Sequence, residues 1–540
     1  MVLAICLRDD FKRRFMVFFD HVIVGSGPAG VAAALQLENC NTCMVDVGQE
    51  PSFVFPYPSF KQALLSGASE ALLGSEWETL GNLTNPLGFH PKLRARALKH
   101  IMQGEAFDVK GAEKQLLVQG RGSFAAGGMA NAWGAQLLRY TQEDLAEAGD
   151  WPIDVSELNH YYDDLEAHIG ISGATDDMQS FLGNTDNLQP PVPMGPVAEY
   201  ALRRYYDSLN RPSSIGLSLG RPRLAVLTQP HRGRPAHDFG ENEFFAPAGA
   251  GIYNPLHTLT DLRQRRNIHY WSGHKLVSYV EQADCIELEL EVVKTQERTR
   301  IRARHLFLGC GTIQTSRLVL LNKNESGRTL PFVDHPPTLL PIFFPSNFGA
   351  TLPSQSFPIQ LIGTMASVGT RNMISFYYPG GMLWSDLLPD IPLPMNVARS
   401  MLSLLIPGML VAQIWEASKP LPGNRLSLDI KGNITITYPE RQLCNMLPAL
   451  LTSLRKLGGY SLKRLVSAPP PSWGFHHAAT LPMRAEPEAF ETHTDGRLWD
   501  SRRVRLIDGS VLPSLPAKNH SLTIMANAAR IAQAVKSCAY

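Results

Sequence analysis

The stretch Phe18-Phe19-Asp20-His21-Val22-Ile23-Val24-Gly25-Ser26-Gly27-Pro28-Ala29-Gly30, followed by Val31-Ala32-Ala33-Ala34-Leu35, constrains this chain more than any other. An apolar run, glycines at 25, 27 and 30, and then small helix-forming residues predict a strand, a tight turn and a helix whose N-terminus faces a pyrophosphate. Gly25 permits the turn, Gly27 admits phosphate oxygens where a Cβ would stand, and Gly30 lets the helix pack closely on its strand. Ser26, Pro28 and Ala29 complete the candidate cofactor-binding turn. Thr42-Cys43-Met44-Val45-Asp46-Val47-Gly48 predicts a second strand ending on Asp46, whose carboxylate would accept hydrogen bonds from ribose hydroxyls. No Arg directly follows Asp46, so a 2′-phosphate is not evidently provided for. The motif itself fits FAD and NAD alike.

A chain of 540 residues suits two large domains, or one nucleotide domain with a second grown from its insertions. Hydrophobic residues at 44% against 18% charged supply a sizeable core. Fifty basic and forty-nine acidic residues give a formal net charge of +1, which provides no electrostatic footprint for nucleic acid and points to a small-molecule partner. The seven cysteines are scattered and odd in number, which argues against a disulfide framework and for a reducing, cytoplasmic setting. Cys40-Asn41-Thr42-Cys43 has no second pair and falls between the first helix and second strand, so neither a redox nor a zinc reading fits it. Residues 1–15, which include Arg13-Arg14, lack a signal-peptide pattern and read as an extension before Met16.

Short helices are expected around Phe60–Leu65 and Ala71–Leu73. Beyond them, the small residues of Gly120-Arg121-Gly122-Ser123-Phe124-Ala125-Ala126-Gly127-Gly128-Met129-Ala130-Asn131-Ala132-Trp133-Gly134 imply backbone passing very close to a flat ligand. This run, together with the first strand unit, resembles the glucose-methanol-choline (GMC) family of FAD oxidoreductases. Gly-Gly-Met-x-x-x-Trp is most similar to its pyranose oxidase branch, where the residue before the Trp is a His joined covalently to the flavin. Here that residue is Ala132. The resemblance therefore implies FAD held non-covalently, with Gly127, Gly128, Met129, Asn131 and Ala132 against it.

Ser156 is a plausible N-cap for a packing helix with the apolar stripe Leu158, Tyr161, Tyr162, Leu165 and Ile169. Strands are expected at 268–271, 276–280, 286–292 and 299–308, with strict alternation in Ile286–Val292 marking a half-exposed meander. Gly309-Cys310-Gly311 and the apolar helix after it resemble the second GMC signature, with Asn322-Lys323 where the family closes on Ser-Gly. Phe332-Val333-Asp334-His335-Pro336 also resembles a family segment, but the extended bias before a proline argues against His335 as a catalytic group. Residues 337–470 are expected to form an antiparallel sheet with covering helices, including strands near 409–415, 425–429 and 433–438. The apolar stretch 391–407, broken by Pro394 and Pro407 and carrying Arg399, reads as a pocket cover in preference to a membrane contact.

Catalytic candidates come from the C-terminal part. His476-His477-Ala478-Ala479-Thr480 is similar to the family's H-x-x-G-T block, with Ala479 in place of Gly, and implies His476 as the active-site His. Asp508-Gly509 resembles the family turn beside the flavin ribityl-pyrophosphate. Asn519, in N-x-x-x-T spacing with Thr523, takes the second active-site position and His520 is its runner-up. No carboxylate at ligand spacing accompanies these residues, and the family needs no metal. Oxidising a C–H beside a hydroxyl needs a base for the O–H proton while hydride leaves carbon, and His has a suitable pKa.

The expected fold is α/β: a Rossmann-like FAD-binding domain over 16–135, 248–332 and 474–540, and an inserted substrate-binding domain over 136–247 and 333–473 built on an antiparallel sheet with covering helices. The expected function is FAD-dependent oxidation of an alcohol to an aldehyde or ketone, with hydride passing to flavin N5. The substrate is a small-molecule alcohol, which the apolar 391–407 segment biases toward a bulky or hydrophobic one, and O2 or another acceptor takes the electrons. An FAD-retaining lyase and a catalytically inactive flavin-binding protein are the alternatives. Because Ala132 offers no attachment atom, acid or heat should release free FAD from the purified yellow protein. Flavin remaining with the denatured polypeptide would overturn this.

Overall fold

The first apolar run forms the strand Phe18–Val24, buried from Phe19 onward, and the small residues after it form the helix Pro28–Gln36. A computed structural model describes residues 16–50, 100–209, 216–239, 251–351, 353, 355–367, 370–380, 393–439, 446–472 and 474–536. The helices expected near 60–73, and residues 1–15, lie outside the described residues.

Phe18–Val24 is flanked in parallel by Thr42–Val45 on one side and by Arg298–Leu308 on the other, with Ile268–Trp271 parallel beyond Thr42–Val45. The expected meander is present: His274–Glu281 and Ile286–Val292 run antiparallel into Arg298–Leu308, and Ile286, Leu288 and Leu290 bury alternately. Arg298–Leu308 then changes partner along its outer edge. Its first half pairs with Ile286–Val292, while Leu306–Leu308 pairs in parallel with Val504–Leu506. Three parallel strands thus end side by side at Val24, Leu308 and Leu506. The crevice outside such carboxyl ends is where open parallel sheets bind ligands.

Three helices secure this edge from behind. Pro28–Gln36 packs on Ser521–Gln533, which in turn packs on Ser156–Ile169 through buried apolar faces and a Tyr162–Thr523 hydroxyl contact of 2.8 Å. The expected stripe of the last helix is buried at Leu158, Tyr162, Leu165 and Ile169. Ser156 is not its cap. It is the first helical residue, and its N–H is bound at 2.8 Å by the Asp154 carboxylate, which does the capping instead. A capping box does start the helix Gln142–Ala148, where Asp144 Oδ2 accepts the Thr141 N–H at 2.7 Å.

The strands expected within 337–470 divide between two sheets. Thr338–Phe343, Met409–Glu416, Thr370–Tyr377, Ile359–Thr364 and Ser218–Gly220 form one antiparallel sheet. The helices Pro196–Leu209 and Leu447–Leu457 pack on it around Leu340, Ile342, Ile374 and Ala412. Arg425–Leu428 and Ile434–Thr437 instead join Ala106–Lys110 and Leu116–Arg121. Their inward residues Leu426, Leu428, Ile434 and Ile436 match Phe107 and Val109, and so extend the core of the first sheet.

Gly30 is the tightest point of the first unit, since a Cβ there would lie 1.9 Å from the Gly25 carbonyl oxygen. That neighbour is backbone and cannot move aside. Gly30→Ala should therefore lower stability by about 1–3 kcal/mol, read as a lower urea midpoint with an unchanged slope. An unchanged midpoint would contradict the packing.

Candidate active site

Each of the three strand ends delivers a turn to one place. After Val24, Gly25 adopts φ +98°, and a Cβ on it would meet the Gly309 carbonyl oxygen at 2.5 Å, so the two glycine turns sit in contact. After Leu506, Asp508 reaches across to the second turn: its Oδ2 accepts the Gly311 N–H at 2.9 Å and the Thr315 hydroxyl, and its Oδ1 accepts the Ser510 N–H at 3.0 Å. Burial raises the Asp508 pKa, and the Thr315 and Ser510 hydrogen bonds oppose that rise.

A cavity of about 580 Å³ runs from these turns to the C-terminal histidines. Of the expected cofactor residues, Gly25, Ser26, Gly27, Pro28, Ala29, Asp46, Gly128, Met129, Ala132, Asp508 and Gly509 line it. Gly30, Gly127 and Asn131 do not. Gly30 is enclosed by the first turn, and the Gly127 N–H is bound by the Ser26 hydroxyl at 2.9 Å. The Asn131 amide is engaged by its own loop, donating to the Ala126 and Gly128 carbonyls at 2.7 and 2.8 Å, so it shapes the wall from behind. Asp46 follows its strand as expected. Its carboxylate takes the Ser26 hydroxyl and backbone N–H and the Tyr270 hydroxyl, and burial pushes its pKa up to about 6.

At the other end the expected catalytic residues meet. His476 stacks on Trp415 with centroids 4.6 Å apart and planes at 20°, and the His520 ring lies 4.7 Å away. His476 Nε2 is 3.4 Å from the Asn519 amide nitrogen, and its Nδ1 is 3.4 Å from His335 Nδ1. An amide nitrogen only donates, so in this orientation His476 Nε2 is the acceptor. A neutral His476 in that arrangement carries its proton on Nδ1, on the side of His335. Burial lowers the pKa of His335 to about 4 and of His520 to about 3, so both are neutral near pH 7. His520 Nδ1 and Asn519 Oδ1 are buried with no protein partner. The neighbouring His477 is occupied elsewhere, its Nε2 2.8 Å from the Ser472 hydroxyl.

His335 and Trp415 were not singled out in the sequence as parts of this cluster. Val333 exchanges backbone hydrogen bonds of 3.0 and 2.9 Å with Ala478, and this pairing sets His335 beside His476. The His-Pro segment and the 476–478 block, read as partners, were the available signal. Lys518 is a further missed residue: fully buried, it pairs with Asp144 and donates to the Arg139 carbonyl at 3.1 Å, fixing the chain just before Asn519. By contrast, no described residue of 393–408 lines the cavity, so the described part of that segment lends no support to a pocket cover or a bulky substrate. Within the C-x-x-C, Cys43 carries a free thiol whereas Cys40 is disulfide-bonded, so the pair does not close on itself.

Residues 466–528 match the family described as GMC oxidoreductase, in its C-terminal model. The chain is similar to 2-methyl-1,2-propanediol dehydrogenase of Mycolicibacterium austroafricanum, 23% identical over 574 residues that cover 95% of this chain and 94% of the relative. Among solved structures it resembles pyridoxine 4-oxidase from Mesorbium loti (TM-score 0.60, 13% identity, 96% and 99% of the two chains). It also resembles formate oxidase of Aspergillus oryzae RIB40 (TM-score 0.58, 12% identity, 96% and 98%). An FAD-dependent oxidoreductase from Chaetomium thermophilum is alike to a similar degree, at TM-score 0.58, 13% identity, 96% and 99%. These structural likenesses concern the fold.

The cavity wall suits a dinucleotide pyrophosphate, such as that of FAD, on its own geometry. The helix Pro28–Gln36 starts without a side-chain cap, leaving its first N–H groups for an anion. A Cβ built on Gly27 meets nothing within 4 Å, because it would project into the cavity. Gly27→Val should accordingly fold with a normal urea midpoint yet lose most of its flavin, measured as the absorbance ratio of flavin to protein. Normal flavin content in this variant would exclude the pyrophosphate from this turn.

Proposed function

We propose that the chain, whose residues 466–528 match the GMC oxidoreductase family, holds FAD and oxidises a small-molecule alcohol to an aldehyde or ketone with His476 as the base. One observation carries this reading: the acceptor nitrogen of His476 faces Asn519 within the cavity that also holds the glycine turns. FAD, when bound, supplies the two-electron acceptor for the hydride that leaves the carbinol carbon.

The protein's own part is to bind, orient and take a proton. The substrate hydroxyl enters between His476 Nε2 and Asn519, displacing their long mutual contact of 3.4 Å. Its proton passes to His476 Nε2, and the imidazolium so formed donates through Nδ1–H to His335, whose neutral ring accepts without itself being charged. Asn519 donates its amide N–H to the substrate oxygen as negative charge develops there. Trp415 fixes the His476 plane by stacking, and apolar contact there keeps water from the base. His520 stays neutral and contributes its unpartnered Nδ1 to the same wall. Ala132 lines the cavity without an atom that could bond the flavin, which supports non-covalent binding. We assign cofactor binding to the strand-end turns and substrate specificity to the sheet that carries Trp415.

Anaerobic single-turnover measurement tests the assignment. His476→Ala should retain FAD but slow substrate-dependent loss of the flavin absorbance by about 10²- to 10⁴-fold, equivalent to about 3–5 kcal/mol of barrier. Asn519→Ala should slow it too, and His520→Ala less. Wild-type rates in His476→Ala remove it from the mechanism. Product formed without flavin bleaching in the native protein would mean a lyase, and no change at all would mean a binding protein.

A further inference from the structure

We propose that the helix Met395–Leu405, together with the turn Tyr460–Leu465, forms a docking face for an anionic phospholipid bilayer. A helix that merely packs on a core carries one apolar stripe and a polar outer face. This helix has a polar flank at Asn396 and Ser400, but its apolar face is wider than the stripe it buries. Ala398 and Leu402 are buried in the core of the antiparallel sheet, whereas Val397, Met401 and Leu404 are 42%, 42% and 48% exposed.

Backbone and ring contacts join this face to two further segments with exposed apolar side chains. Leu404 accepts the Gly349 N–H at 2.9 Å, which brings up Phe348, itself 56% exposed. The Phe348 ring lies 6.3 Å from Phe343, and Phe343 exchanges two backbone hydrogen bonds of 2.8 Å with Tyr460. Exposed Tyr460, Leu462 and Leu465 extend the patch from there. Isolated surface apolar residues are ordinary, but a contiguous run drawn from three chain segments marks an interaction surface.

Charge identifies the partner. Arg455, Lys456, Lys463 and Arg464 are exposed at the Tyr460 end, and the sequence has no Asp or Glu within 391–415 or 446–471. A second copy of the chain docked across a two-fold axis would bring these like charges together. Anionic headgroups above acyl chains complement them, and the apolar side chains reach the acyl boundary. Among the described residues no helix is long and apolar enough to cross a membrane, so the contact lies in the interface plane.

Sedimentation of the holoenzyme with phosphatidylcholine vesicles, with and without phosphatidylglycerol, tests this. The protein should pellet with the phosphatidylglycerol vesicles and more weakly with phosphatidylcholine alone, and added salt should reduce but not abolish binding. Met401→Glu/Leu404→Glu should cut vesicle partitioning by about tenfold or more at unchanged flavin content, since both side chains face outward. Lys463→Glu/Arg464→Glu should erase the preference for phosphatidylglycerol. The proposal fails if the native protein stays in the supernatant, or if the variants bind as it does. It also fails if light scattering finds a dimer that Met401→Glu/Leu404→Glu dissociates, because the face would then be covered by a second copy.

Discussion

Everything at the candidate active site depends on the close approach of two backbone turns. The Gly309 N–H bonds the Val24 carbonyl at 2.9 Å, and at Gly25 there is no room for any side chain beside the Gly309 carbonyl. A ligand-binding crevice needs the ends of neighbouring parallel strands to open away from one another, yet here they must also touch. Asp508 reconciles the two demands. It holds the second turn by hydrogen bonds to Gly311 and Thr315 while the cavity remains clear over Gly27. The carboxylate is buried, so these donors replace the water it has lost.

The legible parts of the structure were local. The glycines at 25, 27 and 30, the strict alternation of Ile286–Val292 and the acidic end of the second strand each determine their own geometry within a few residues, and each takes the expected form. His476, Asn519 and His520 were recognisable because they stand in family blocks, and the chain does bring them together. What was illegible depended on pairing between distant segments. Nothing local tells Arg425–Leu428 and Ile434–Thr437 to join Ala106–Arg121 in place of the sheet that flanks them in sequence. The same holds for His335, whose place follows from one backbone pairing across the gap between 333 and 478. Nor does a run of small residues tell which of them line the cavity: Gly127 and Asn131 do not, and they are hydrogen-bonded to Ser26 and to the Ala126 carbonyl.

The polar groups around His476 are close on two sides: the Asn519 amide nitrogen lies 3.4 Å from its Nε2 and His335 Nδ1 lies 3.4 Å from its Nδ1. Burial keeps His335 and His520 neutral near pH 7, so neither adds positive charge beside His476. The one permanent cation close in sequence, Lys518, is turned away from the cavity and held by Asp144, so it anchors Asn519 without imposing its field on the histidine from the cavity side.

The divided outer edge of Arg298–Leu308 has a consequence for biosynthesis. While the chain is being made, the half of that edge facing Ile286–Val292 is satisfied as soon as the meander emerges. The other half, at Leu306–Leu308, stays open until Val504–Leu506 arrives some two hundred residues later, a separation read from the register Leu306↔Val504. On the ribosome the nucleotide sheet is therefore an unfinished template with an exposed strand edge. The last segment of the fold brings Asp508, the brace on the second turn, and Asn519, the neighbour of His476, in a single stretch of chain.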